Sequence, residues 1–194
     1  MGRGTLTFAL RTLLFAPCLS VSLVGTRAGQ ATALDLSGAA VDPLKAANGK
    51  VVVLIFVRTD CPVSNRYSPT IQRLSAQYAG QARFWLIYPD RAESVEMIRK
   101  HEREFGYQLP ALRDLQRALV KESHVQITPE AAVFNGDRRL IYHGRIDNLY
   151  EDFGRARNAA TTHELDDAIA SAVHGKPLAA DSAPAVGCYI SDLQ

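Results

Sequence analysis

Residues 51–62 read VVVLIFVRTDCP, and this stretch decides the fold. Val51 to Val57 are uninterrupted apolar residues rich in β-branched side chains, which is the pattern of a strand buried on both faces. The run stops at Arg58-Thr59-Asp60, and Cys61-Pro62 follows where a helix is due. From Ser64 to Tyr78 the apolar positions Ile71, Leu74 and Tyr78 keep helical spacing, Gly80 is placed as a stop, and Pro69 predicts a late start or a kink. RFWLIY (83–88) predicts a second buried strand. A helix over Ala92–Phe105, with Val95, Ile98 and Phe105 on one side and Asp90 as its cap, comes next.

Working outward, Leu109–Leu119 reads as a loop with a short helix, and His124–Ile127 leads into Thr128-Pro129. AAVFN (131–135) and RLIYHGRI (139–146) are strand-like runs joined by Gly136-Asp137-Arg138, which is hairpin chemistry. Thr161-x-x-Glu164 has the spacing of a capping box, and Leu165, Ala168, Ile169, Ala172 and Val173 form the apolar face of a closing helix ended by Gly175 and Pro177. The order strand, helix, strand, helix, hairpin, helix predicts an α/β sandwich, a central mixed sheet flanked by helices.

The chain has 194 residues, 47% hydrophobic and 22% charged, which excludes a disordered or collagen-like protein. Lys and Arg number 22 against 20 Asp and Glu. Three of the 22 are Arg3, Arg11 and Arg27, so the remainder is close to neutral and offers no field for nucleic acid. Behind Arg3 and Arg11 lies TLLFAPCLSVSLVG (12–25), long enough for the core of a secretory signal and too short for a membrane span, which needs about 20 residues. Ala31-Thr32-Ala33 has the small-x-small pattern of a cleavage site. The expected organisation is a signal peptide over 1–33, one domain over 34–175 and a tail over 176–194. The product is then exported, periplasmic or secreted, with no stable membrane insertion after cleavage. Cys18 leaves with the signal, and Cys61 and Cys188 remain in a compartment where disulfides persist.

Cys61 at a strand-to-helix junction reads as an exposed address whose sulfur faces the positive end of a helix, and that favours thiolate. Ser64, three residues on, is placed to donate to the same sulfur, while Arg58 and Arg66 add positive charge that Asp60 partly offsets. A thiolate is the nucleophile of both disulfide exchange and peroxide reduction.

With VVVLIFVRTDCP and Thr128-Pro129 in place, the chain resembles the thioredoxin-like superfamily, and within it the redoxin branch that includes peroxiredoxin-like and thiol-disulfide proteins. The resemblance spans about residues 34–175. It implies that Cys61 is the nucleophile, that Pro129 is a cis proline beside it, and that Thr128, with Pro62 and Ser64, meets substrate. Two departures stand out. Thioredoxins carry Cys-x-x-Cys, but position 64 is Ser; peroxiredoxins carry Pro-x-x-x-Thr-x-x-Cys, but the matching residues are Leu54 and Arg58.

Cys188 is therefore the candidate second thiol. The ten residues Pro177–Val186 span at most about 33 Å when extended, enough to cross a small domain. The expected function is a thiol-disulfide oxidoreductase without a dissociable cofactor, with Cys188 resolving the adduct on Cys61. Its partners would be a disulfide or thiol protein, or a small-thiol reductant. The alternatives are a peroxiredoxin-like enzyme reducing hydroperoxides, and a non-enzymatic copper-handling or scaffold module. Arg145–Asp147 reads as substrate-positioning or tail-binding, or as an ordinary salt bridge. His101, His124, His143, His163 and His174 show no ligand spacing, so no metal site is assigned.

Overall fold

The computed structural model describes residues 1–2, 31–177 and 182–190. The expected signal segment falls almost entirely outside them. Elements in chain order are β1 (Ala33–Asp35), β2 (Ala40–Val41), α1 (Pro43–Ala46), β3 (Val51–Phe56), α2 (Pro62–Arg66), α3 (Ser68–Gln77), β4 (Ala82–Tyr88), α4 (Val95–Phe105), β5 (Ala111–Arg113), α5 (Ala118–Ser123), β6 (Ile127–Thr128), β7 (Glu130–Phe134), β8 (Leu140–Gly144), β9 (Tyr150–Asp152), β10 (Arg155–Ala156), α6 (Glu164–Val173) and β11 (Cys188–Tyr189). Seven strands form one mixed sheet in the order β2-β1-β5-β4-β3-β7-β8, with β3 parallel to β4 and antiparallel to β7.

β3 is central, and every one of its residues is buried. Alternation divides them between two cores. Val51, Val53 and Ile55 pack with Ile71 and Leu74 of α3, Ile98 of α4 and Leu165 and Ile169 of α6. Val52, Leu54 and Phe56 pack with Leu44 of α1, Leu119 and Val120 of α5, and Ile190 of the tail. The predicted sandwich is therefore the observed one.

Local differences have local causes. The helix expected from Ser64 begins at Pro62 and is broken at Tyr67 into α2 and α3, because Pro69 enters the first turn of α3 and has no N–H to continue α2. Helix α4 starts at Val95, capped by Ser94, whose hydroxyl accepts from Met97 N at 3.2 Å. Asp90 instead closes the preceding turn by accepting from Ala92 N at 2.9 Å. The capping box at Thr161 does not form. Glu164 is drawn to Arg145 and Thr162, and α6 starts at Glu164 without a side-chain cap. Residues 111–113, expected in a loop, make β5 by pairing parallel to β4. At the N-terminal edge of the described residues, Ala31 and Ala33 are buried, so residues assigned to the expected signal segment pack with the domain. Among the described residues no helix is long and apolar enough to cross a membrane.

Candidate active site

β3 delivers Cys61 to the position before α2, in extended backbone conformation, and Pro62 takes the first turn where its missing N–H costs nothing. The surprise is burial. Cys61 has 0% exposure, so the expectation of an exposed thiol is corrected. What covers it is the chain's own tail. β11 runs antiparallel to β6 with Cys188 opposite Thr128 and Tyr189 opposite Ile127, and Thr128 Oγ1 donates to Cys188 O at 3.2 Å. The Cys61 thiol donates to Thr128 O at 3.2 Å, across 67 residues of sequence. The Thr128–Pro129 peptide is cis.

This ladder brings the two thiols together, and they polarise each other. Burial pushes the Cys61 thiol up, but the Cys188 S–H and the backbone N–H and hydroxyl of Ser64 favour its thiolate, and the balance lies below the ordinary cysteine value. Cys188 moves the other way, pushed up to about 12 by burial and then by its hydrogen bond to, and charge repulsion from, Cys61. The pair is thus polarised, with Cys61 the more readily ionised of the two and Cys188 the one that keeps its proton. Ser64 is fully buried and its hydroxyl makes no hydrogen bond elsewhere, which leaves it free to serve the thiolate. Arg58 contributes less than its sequence position suggests. Its guanidinium is held by Asp60 at 3.0 Å and Asp90 at 3.2 Å.

Of the expected site residues, Cys61, Ser64, Thr128, Pro129 and Cys188 converge. Pro62 stays exposed on the rim. Leu54, at the position of the peroxiredoxin proline, is buried in the second core. The side chain of Arg145 makes an ion pair with Glu164, while its backbone N–H donates to Ala183 O of the tail at 3.0 Å.

Sequence reasoning missed the scaffold behind the thiol. Asn65 Nδ2 donates to Thr59 O at 3.3 Å, which leaves Asn65 Oδ1 to accept from His101 Nε2 at 2.8 Å. His101 Nδ1 then accepts from Tyr88 O–H at 2.9 Å, an assignment fixed by the network. Burial lowers the His101 pKa to about 4, so the ring is neutral and can play both parts. Thr59 N donates to the buried Glu93 carboxylate at 2.6 Å. Burial raises the Glu93 pKa against the opposing effect of that bond. On the other side, Glu130 accepts from Gln126 N at 2.9 Å and Ile127 N at 3.2 Å and shapes the loop that carries β6. Polar residues that meet only through tertiary contact leave no spacing to read.

The AhpC/TSA family model matches residues 24–143, a span that includes Cys61, Thr128 and Pro129; Cys188 lies beyond it. No curated protein matches the chain. A hypothetical protein from Sinorhizobium meliloti is similar in structure, with a TM-score of 0.70 at 22% identity, over 82% of this chain and 88% of that one. A secreted disulfide oxidoreductase from Mycobacterium tuberculosis has a TM-score of 0.52 at 20% identity, over 75% of this chain and 96% of its own. A thioredoxin-like protein from Aeropyrum pernix has a TM-score of 0.52 at 19% identity, over 58% and 79%. At these identities the likeness is one of fold, and that fold is thioredoxin-like.

Proposed function

The chain belongs to the AhpC/TSA family, and from that premise we propose that it is a two-cysteine thiol-disulfide oxidoreductase in which Cys61 attacks and Cys188 resolves. The observation that carries this reading is the β6–β11 ladder, which sets Cys188 opposite Thr128 while the Thr128 carbonyl is 3.2 Å from Cys61 Sγ. Cys188 supplies the second thiol that Ser64 denies to a Cys-x-x-Cys motif.

The Cys61 thiolate attacks one sulfur of an external disulfide. The S–S bond breaks, one external thiolate leaves and takes a proton from solvent, and a mixed disulfide remains on Cys61. That adduct is neutral. The Cys61 charge that helps to hold the Cys188 proton has gone, so Cys188 ionises more readily after the first step than before it. Its thiolate then attacks Cys61 Sγ, forms the Cys61–Cys188 disulfide and releases the second external thiol. The external disulfide has gained two electrons and the chain has lost them. Thr128 and Pro129 line the approach, and no step needs a dissociable cofactor. The expected export fits this chemistry, provided that the signal is cut before Ala31 so that the buried Ala31 and Ala33 stay with the domain.

The test mixes the reduced chain with glutathione disulfide or with hydrogen peroxide and maps the products by mass. The expected result is a Cys61–Cys188 disulfide formed faster with glutathione disulfide, and a Cys61–glutathione adduct that accumulates in Cys188→Ser. Faster reaction with peroxide would establish the peroxidase instead, and an inert Cys61 would remove both.

A further inference from the structure

The tail does more than carry Cys188. Residues 182–190 are fastened to the domain at four places, the first being the Ser182 hydroxyl, which donates to His143 O. Arg145 N donates to Ala183 O at 3.0 Å, beside Gly144, where a Cβ would meet that same oxygen at 2.6 Å. Gly187 lies so close on β6 that a Cβ would meet Thr128 O at 2.0 Å and Pro129 Cδ at 3.1 Å. Ile190 N donates to Gln126 O at 2.9 Å, and its side chain is buried in the second core at 5% exposure. Between the last two anchors, Cys188 and Tyr189 occupy the whole of β6, since β11 is its only ladder partner among the described residues. The Tyr189 side chain is exposed, at 74% for the residue, and only its backbone takes part in the ladder.

We propose that residues 182–190 form a strap whose docking on β6 closes Cys61 to polypeptides, so that a protein disulfide reaches the thiol only after β11 has left. This rests on the reading of Cys61 as the reactive thiol. With the strap docked, Cys61 can exchange with Cys188 but presents no surface to an external partner of any size. With it undocked, the backbone groups of Ile127 and Thr128 are freed, and an extended polypeptide has a strand edge to pair with and an open sulfur to meet. The strap can detach as a local unit because its hydrogen bonds to the domain lie along one edge and Ile190 is its one side chain buried in a core. Ile190→Ala removes most of that side chain, which raises the undocked population by at least about tenfold. Gly187→Val blocks docking by steric conflict instead.

Two measurements keep this proposal separate from the proposed function. The first needs no catalysis. In the reduced Cys188→Ser chain, Cys61 is labelled with N-ethylmaleimide and with a maleimide on a long polyethylene glycol. Both reagents should react slowly while the strap is docked, and Ile190→Ala or Gly187→Val should accelerate both by about tenfold. Labelling that neither variant accelerates would overturn the strap whatever the chain's activity. The second compares glutathione disulfide with insulin as oxidant of the chain with both cysteines. Ile190→Ala should accelerate the reaction with insulin and with glutathione disulfide by about tenfold each, since both reach Cys61 only through the undocked state. No gain with insulin would also overturn the strap. Should the chain attack neither disulfide, the proposed oxidoreductase falls and the labelling result alone decides the strap.

Discussion

Cys61 owes its easier ionisation to short-range donors, the Cys188 S–H together with the backbone N–H and hydroxyl of Ser64 in the first turn of α2. Burial alone would raise its pKa, so each donor removed should return it towards the ordinary value. Ser64→Ala and Cys188→Ala are both expected to raise the Cys61 pKa, and Cys188→Ser, which keeps a donor, to raise it less. The pH dependence of Cys61 alkylation reads this directly. His101 carries a second prediction at this scale. Its pKa is lowered to about 4 from an ordinary 6.5, so the unfolded chain binds a proton in that interval and the folded chain does not. Stability is complete above about pH 6.5 and falls as the pH drops towards 4, by about 3 kcal/mol once both states are protonated. Denaturant unfolding across pH 4 to 7 should show this slope, and His101→Gln should flatten it. A wild-type curve flat across that range would refute the neutral, buried imidazole.

At the scale of elements, β3 is both the centre of the sheet and the support of the site, since it leads straight into Arg58–Cys61. Ile55→Ala, at a fully buried position, should destabilise the fold by about 3 kcal/mol, measured by denaturant unfolding. β3, β4 and the β7–β8 hairpin were legible because their own residues carry the pattern, seven apolar positions in a row or two runs around Gly136-Asp137-Arg138. β5 was not legible. Its three residues, Ala111–Arg113, become a strand only because β4 offers an edge and Leu112 a place in the second core. β6 and β11 are two residues each and exist through each other, so neither stretch could announce itself. The capping box at Thr161 misled for a related reason. Glu164 had a stronger partner in Arg145, nineteen residues away, than the local helix end provided.

Across the whole molecule, nucleophile and partner lie far apart in sequence, and the pairing of the tail strand β11 with β6 brings them together. The sequence placed Cys61 beside Thr128-Pro129 through resemblance and brought Cys188 within reach by chain length. It could not reveal that the tail buries Cys61, because burial by a distant segment is a property of the folded surface. Joining Cys61 to Cys188 closes a loop of about 130 residues, which by chain entropy alone is worth about 5 kcal/mol. The oxidised chain should accordingly melt at a higher temperature than the reduced one, and Cys188→Ser should abolish the difference. The reduced state has its own pH limit. Cys188, held near 12 against about 9 when unfolded, stabilises it fully below pH 9 and progressively less as the pH rises towards 12.

The most direct test of the account is site-resolved alkylation of the reduced chain with iodoacetamide across pH, read by peptide mass mapping. The two thiols are predicted to separate. Cys61 should label with a midpoint below the ordinary cysteine value of about 8.5, while Cys188 remains almost unlabelled through neutral pH. A midpoint for Cys61 at or above the ordinary value, or Cys188 labelled first, would contradict the assignment of Cys61 as nucleophile and Cys188 as its partner.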